Sequence, residues 1–505
     1  MGAPEMTTTG GYLLPLALVL PLLGMLAGFV LGGAWARRLV MLVLPLGVIL
    51  SFAVLVALVG SGQSLVYHLG AWAPPLGIAL RADGLSGAML LATTVVLAAI
   101  AWFARADFPD APDGGETRAA FMFWVLVPAI WVSLNTVFLA GDLFTLYVAL
   151  ELLTFAAVPL VCLDGSAATL RAALRYLLFA LLGSVVYLLG AVLLYASYGT
   201  LDIALLKPLV GPGPVTWLAA ALMTVGLLAK TALFPLHLWL PPAHAGAPAP
   251  ASAMLSALVV KGSFFLVLRL WLDVMPGVIT PAAGQLLGAL GVVAILVGNA
   301  VALRQTRLKL LIAYSTVAQI GYLFLMFPLA IALADMGLPT DKAVTGGLLQ
   351  VVSHATAKAA MFMAAGLVYC TLGHDRIADL YGLAERLPKT VLAFALGGAA
   401  LVGLPPSGGF MAKWLLLSAA LITGQWWWMA AMVVGGLLTA AYVFSIVVKA
   451  MTPSPTPLAV SARSASAGAQ ENIVLGLAIL AFMIGCVALL PFDVVQIGRQ
   501  IGGTP

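Results

Sequence analysis

Residues 214–244 read PVTWLAAALMTVGLLAKTALFPLHLWLPPAH. The stretch opens on an apolar run of the length that crosses roughly 30 Å of hydrocarbon as a helix. The run is continuous rather than alternating, which predicts a membrane-spanning helix and excludes the strand of a transmembrane barrel. Its single charge is Lys230, and beyond it Pro235, Pro241 and Pro242 interrupt the hydrogen-bond ladder, with His237 and His244 close by. Backbone groups freed inside a membrane must face protein or water, so this break is expected to line a cavity.

The rest of the chain repeats the pattern. Of 505 residues, 63% are hydrophobic and 8% charged, where a soluble domain carries about a quarter charged residues. Such a composition cannot clothe a water-facing surface. Fourteen spans are predicted between residues 12 and 492, of which the seventh (214–240) and the twelfth (388–423) contain breakers. The expected fold is an all-α integral membrane protein, a single polytopic domain over residues 1–505. The first run, Tyr12 to Trp35, has no Lys or Arg before it and exceeds a secretory h-region, so it reads as helix 1. The Ser-, Pro- and Ala-rich stretch 452–470 reads as a flexible connection.

Fourteen spans put both termini on one side. Fourteen of the 23 Lys and Arg residues then fall on loops opposite the termini, five on the terminal side and four inside spans. By the positive-inside rule both termini face outward, towards the periplasm or exterior of a bacterial cytoplasmic membrane. The net charge of +5 forms no patch, so membrane lipid is the expected surroundings and nucleic acid is not an expected partner. Cys162, Cys370 and Cys486 stand singly in apolar runs, with neither a CxxC pair nor iron–sulfur spacing, and read as small core hydrophobes.

A charge at mid-span costs about 2.5–3.5 kcal/mol on insertion scales, so each needs a reason. Glu151 is the only charge between Leu143 and Leu163, Lys230 between Val215 and Leu236, and Lys261 between Ala245 and Leu268. Lys413 is alone between Lys389 and Lys449, and His354 and Lys358 share one helical face at i, i+4. The plainer explanation is interior ion pairs that fix packing, with lysines snorkelling to the interface. One evident acid for four lysines is too few for it. Lysines buried without a counter-charge gain and lose protons near neutral pH, so a row of them makes a proton relay. Glu151 would hold the nearest, Lys230, in its charged form.

A second break supports the relay. Before Lys413 the chain runs LVGLPPSGGFMAKW (401–414), and two interrupted helices in matching positions of two halves point to an inverted-repeat transporter. His237 and His244 are accessory candidates, with His244 read as a loop residue, and so is Asp142. No phosphate-binding loop, dinucleotide fingerprint or cluster of metal ligands is present in the sequence, so no cofactor and no covalent catalysis are expected of this chain. The energy must come from an ion gradient or from partner subunits.

The segments DLFTLYVALELLTF (142–155), LAKTALFPLHLWLPPAHAGAPAPASAMLSALVVKG (228–262), RLKLLIAYSTVAQIGYL (307–323) and GLPPSGGFMAKW (403–414) carry a resemblance. The chain resembles the antiporter-like proton-translocating membrane subunits of respiratory complex I, Mrp-type cation/proton antiporters and membrane-bound hydrogenases, over about residues 80–450. The resemblance implies about fourteen helices with two inverted five-helix repeats, repeat A about 119–271 and repeat B about 281–449, flanked by helices in 12–104 and 472–492. It implies discontinuous helices 7 and 12. It also implies a proton or ion pathway through Glu151, Lys230, Lys261, His354, Lys358 and Lys413, and partnership with other membrane subunits. The lysine at position 413 departs from the middle complex I member, which carries an acid there. The chain end soon after helix 14 departs from the distal member, which has a lateral helix. Both fit the D-type subunit of Mrp antiporters or a related hydrogenase or complex I component. The transported ions expected are protons, with Na+ left open. Readings from other classes are a stand-alone solute transporter with a charged midplane site, a quinone-binding oxidoreductase subunit, and a structural scaffold.

Overall fold

The computed structural model describes residues 7–109, 117–454, 467–487 and 490–498. Most of the connection at 452–470, with Arg463, and also Arg499 lie outside the described residues.

The chain opens with α1 (Leu13–Leu31) and α2 (Gly33–Ser61), then a hairpin of β1 (Leu65–His68) and β2 (Ala79–Ala82), antiparallel with Leu65 opposite Ala82. There follow α3 (Gly84–Asp107), α4 (Arg118–Leu139), α5 (Leu143–Val161), α6 (Ala167–Tyr198) and α7 (Pro214–Thr231). A short α8 (Leu240–Gly246) precedes α9 (Ala249–Val274), α10 (Pro281–Leu303), α11 (Leu308–Asp335) and α12 (Asp341–Leu372). The chain continues through α13 (Pro388–Val402), α14 (Gly408–Ile422), α15 (Trp426–Met451), α16 (Ala467–Met483) and α17 (Leu490–Gln496). Thirteen helices among the described residues are long and apolar enough to cross a membrane, and α13 and α14 are shorter apolar helices in succession.

Local chemistry sets the boundaries. Asp83, Asp142, Ser166, Thr280 and Ser407 each accept a backbone N–H at the start of a helix, satisfying donors that a first turn leaves open. The predicted seventh span, 214–240, is not one helix: α7 stops at Thr231 because Ala232 enters the left-handed region at φ 59° and Pro235 cannot continue the ladder. The predicted twelfth span divides into α13 and α14, where Gly403 turns at φ 90° and Pro405 and Pro406 follow. The peptide bonds before Pro235 and Pro406 are both cis. The last predicted span, 472–492, corresponds to an apolar stretch over Gly468–Val487, and the short α17 follows it.

The core lies around α9, α11 and α12, whose residues are buried almost throughout, while α1, α2 and α6 turn Leu, Val and Phe side chains outward. Where lipid supplies no hydrophobic drive between helices, close backbone approach does the work. Gly183 of α6 and Gly226 of α7 face each other so closely that a Cβ on Gly226 would overlap the Gly183 carbonyl oxygen. Gly291 of α10 and Gly321 of α11 form a second such contact, where a Cβ on Gly321 would overlap the Gly291 carbonyl oxygen. Inside α9, Leu255–Val259 and Leu270–Val274 are π-helical turns, flanking the segment that carries Lys261.

Candidate functional site

Lys230 sits in the last turn of α7, just before the break, and is 7% exposed. Its ammonium donates to Thr154 Oγ1 at 2.9 Å, to the Leu150 carbonyl at 3.1 Å and to Glu151 Oε1 at 3.4 Å, all on α5. Lys230 and Glu151 are therefore brought together as an ion pair. Thr154 is a partner that the charge pattern does not reveal, because a hydroxyl in an apolar run is commonplace in sequence.

The other three lysines have no carboxylate within salt-bridge distance among the described residues. Lys261 donates to the Ser256 carbonyl, in the first π-helical turn of α9. The Ser256 and Thr316 hydroxyls, 2.8 Å apart, join this turn to α11. Lys358 is fully buried on α12 and donates to the Ile312 carbonyl at 2.9 Å and to Ser315 Oγ, both on α11. His354, one turn earlier, has two buried ring nitrogens without a hydrogen-bond partner among the described residues and lies within electrostatic range of Lys261 and Lys358.

Lys413 is on α14, beyond the second break. It donates at 2.8 Å to both the Leu401 and Val402 carbonyls, where α13 ends. The last carbonyls of a helix carry partial negative charge and suit a cation. The Tyr322 ring lies 4.4 Å from the ammonium and supplies a cation–π contact. The Leu401 carbonyl also accepts from Gln319 Nε2 at 3.3 Å, and Gln319 Oε1 accepts from Gln350 Nε2 at 2.9 Å. Gln350, His354 and Lys358 are spaced i, i+4, i+8 on α12, so they share one face. One wall is common to the series: α11 contributes Ile312, Ser315 and Thr316, then Gln319 and Tyr322.

The accessory candidates divide. His244 is not a loop residue as expected: it lies in α8, is fully buried, and stacks on Phe362 with ring centroids 4.7 Å apart. Neither ring nitrogen has a hydrogen-bond partner among the described residues, and Lys358, Lys261 and Lys309 are within electrostatic range. His237 lies in the break between α7 and α8, its ring stacked on Phe234 at 5.4 Å. Asp142 caps α5 by accepting from Phe144 N at 3.1 Å and Thr145 N at 2.7 Å, and none of its hydrogen bonds reaches the lysine series.

Two further cations, half-buried Arg269 and buried Lys309, lie where the charge pattern places loops. Arg269 lies inside α9 and donates to Asp83 at 2.6 Å, Asp273 at 2.7 Å and Ser86 Oγ at 2.8 Å. Lys309 lies in the first turn of α11 and donates to the Ala247 carbonyl at 3.1 Å. A cavity of about 430 Å³ is lined by Arg81, Asp83, Lys207, Arg269 and Asp273 among others, but by none of the six pathway candidates. Neither break lines this cavity. The break after Lys230 is filled by Trp239, which donates to the Ala229 carbonyl at 2.9 Å and stacks on Tyr176. Among the described residues no group of three or more His, Cys, Asp or Glu could hold a metal ion.

Comparison with known proteins identifies relatives for this arrangement. The NADH-quinone oxidoreductase subunit N of Desulforudis audaxviator (strain MP104C) is 34% identical over 454 residues, 86% of this chain and 87% of the relative. A Na(+)/H(+) antiporter subunit of the D type, from Alkalihalophilus pseudofirmus (strain ATCC BAA-2126 / JCM 17055 / OF4), is 27% identical over 397 residues, 76% of each chain. In fold, the chain is similar to one in the Mrp complex from Dietzia sp. DQ12-45-1b, with a TM-score of 0.85 at 24% identity over 97% of this chain and 98% of that one. A family model described as NADH:quinone oxidoreductase/Mrp antiporter, TM, matches residues 140–439. With its Glu151–Lys230 ion pair, its two broken helices and this match across more than half its length, the chain belongs to the NADH:quinone oxidoreductase/Mrp antiporter transmembrane family.

Proposed function

We propose that this chain is a proton-translocating or cation/proton-exchanging subunit of a multisubunit membrane complex. Charge passes from the Glu151–Lys230 pair through Lys261 and the His354/Lys358 face to Lys413. One observation carries the reading: the buried lysines are spaced along α11 and its neighbours, each ammonium on a carbonyl or hydroxyl rather than in a fixed ion pair, except Lys230. A cation held by neutral acceptors in low dielectric is poised to give up its proton. Gln350 and Gln319 supply the connection from the α12 face to the carbonyl under Lys413.

In this reading α13 and α14 form one broken span, which makes fourteen spans in all. The regions 119–271 and 281–449 form two inverted five-helix repeats, and both termini face outward from a bacterial cytoplasmic membrane. The partners are other membrane subunits, of the kind that accompany the Mrp D-type and complex I N-type relatives. The ions are protons, with Na+ exchanged in the Mrp-type case, and this chain holds no cofactor of its own. The test is transport by the assembled complex in membrane vesicles: Lys230→Ala and Glu151→Ala each abolish it while assembly is kept. Wild-type rates in either variant would sink the relay.

A further inference from the structure

A relay that ends at Lys413 needs an intake on the face that carries most of the basic loops. We propose that Lys309 is this intake, taking protons beside Asp375 and handing them to His244. The inference rests on the relay reading and extends it to residues outside that series.

Three connections on the arginine-rich face meet at Lys309. The Leu308 N–H donates to the Asp375 carbonyl at 2.7 Å, and the Ile377 N–H to the Thr306 carbonyl at 2.9 Å, which joins the chain before α11 to the chain after α12. The Asp375 carboxylate accepts from Arg307 Nε at 2.9 Å and from the Lys309 backbone N–H at 3.2 Å. Both cations then reach to the third connection, between α8 and α9. Arg307 donates to the Ala245 carbonyl at 3.4 Å and Lys309 to the Ala247 carbonyl at 3.1 Å. Ala245 follows His244 directly in α8, and Ala247 lies three residues beyond it.

Only Arg307 in this group is open to solvent. The Arg307 side chain is 42% exposed and that of Asp375 4%, Lys309 is 7% exposed, and His244 is fully buried. The Tyr369 ring covers the Lys309 ammonium at 5.4 Å. The His244 imidazole, whose two nitrogens have no hydrogen-bond partner among the described residues, lies within electrostatic range of Lys309 as well as of Lys261 and Lys358. A buried cation within reach of a proton acceptor is more than a staple for one carbonyl, a task a neutral donor performs without the desolvation cost.

The transfer balances simply. An N–H bond of the Lys309 ammonium breaks as one forms on the His244 ring, leaving a neutral amine and an imidazolium. The amine then takes a proton from a hydronium ion at the face, releasing water, while the Asp375 carboxylate keeps positive charge concentrated there.

Arginine separates the two roles of Lys309. It keeps the positive charge and the donor to Ala247 but does not release a proton at any working pH. In vesicles holding the assembled complex, Lys309→Arg is expected to lower transport at least tenfold at unchanged subunit content, with Lys309→His recovering more than Lys309→Gln. Lys261→Ala in the same preparation tests the relay itself. Transport by Lys309→Arg within twofold of wild type, with Lys261→Ala inactive, overturns the intake and leaves the relay standing. Wild-type transport by Lys261→Ala overturns the relay. If Lys309→Arg fails to assemble, the His and Gln variants decide: equal rates overturn the proposal, and a higher rate for His supports it.

Discussion

The Glu151–Lys230 pair allows a graded prediction. At 3.4 Å and an effective dielectric of about 20, the attraction between the two charges is about 5 kcal/mol. Glu151→Asp retracts the carboxylate by about 1.5 Å, one methylene, and the same expression falls to about 3.4 kcal/mol. The loss of about 1.5 kcal/mol corresponds to roughly tenfold. Glu151→Gln removes the charge, and uncoupling one partner of a buried pair costs about 3–5 kcal/mol, more than a hundredfold. Transport by the assembled complex, followed as fluorescence quenching of a pH probe in inverted vesicles, should therefore rank wild type over Asp over Gln, with steps of roughly those sizes. Co-purification of partner subunits checks assembly in each variant. A Gln variant as fast as the Asp variant would refute the idea that carboxylate charge and distance govern the Lys230 step.

Four further outcomes are expected. Gln350→Met keeps the side-chain volume but breaks the contact to Gln319, so transport falls while the melting temperature of the complex stays within a few degrees; an unchanged rate removes the glutamines from the path. Gly226→Ala and Gly321→Ala each drive a methyl group into a facing backbone, and overpacking of this kind costs about 1–3 kcal/mol, read as a lowered melting temperature of the solubilised complex. Asp83→Ala leaves Arg269 with the Asp273 carboxylate and the Ser86 hydroxyl; the loss of about 3–5 kcal/mol should appear as poor yield of folded chain, and normal yield would argue against the pair. Asp164, in the turn between α5 and α6, is held below the ordinary carboxylate range: partial burial pushes it up, but hydrogen bonds from Thr169 and Ser166 outweigh that. Its contribution is therefore complete above the ordinary carboxylate value and lost as pH falls through the lowered one, so Asp164→Asn lowers the melting temperature at neutral pH and the difference closes on acidification.

The spans were legible because nothing competes with a continuous apolar run for the interior of a bilayer. Lys230, Lys261 and Lys413 were legible for the same reason, since a lone charge in such a run stands out. Arg269 and Lys309 were not, because they sit near the ends of runs, where composition cannot separate a loop from a final turn. Their burial also depends on Asp83 and Asp375, 186 and 66 residues away. The loop expectation for His244 fails because Pro241 and Pro242, which signal a loop, stand here in the first turn of α8, where a missing N–H does no harm. Gln319 and Gln350 are neutral amides, and only their placement between Lys413 and the α12 face gives them meaning.

The glycine contacts between α6 and α7 and between α10 and α11 have a mechanical consequence. Two backbones in direct contact have no compliant side chains between them to absorb a slip, so each pair behaves as a single stiff beam. Lys230 stands on one of these beams, and α11, which holds the Lys358 ammonium, belongs to the other. If charge moves along the proposed relay, the lysine stems, each with four rotatable carbons, are left to make the swings, and little surrounding structure has to be rearranged at each step.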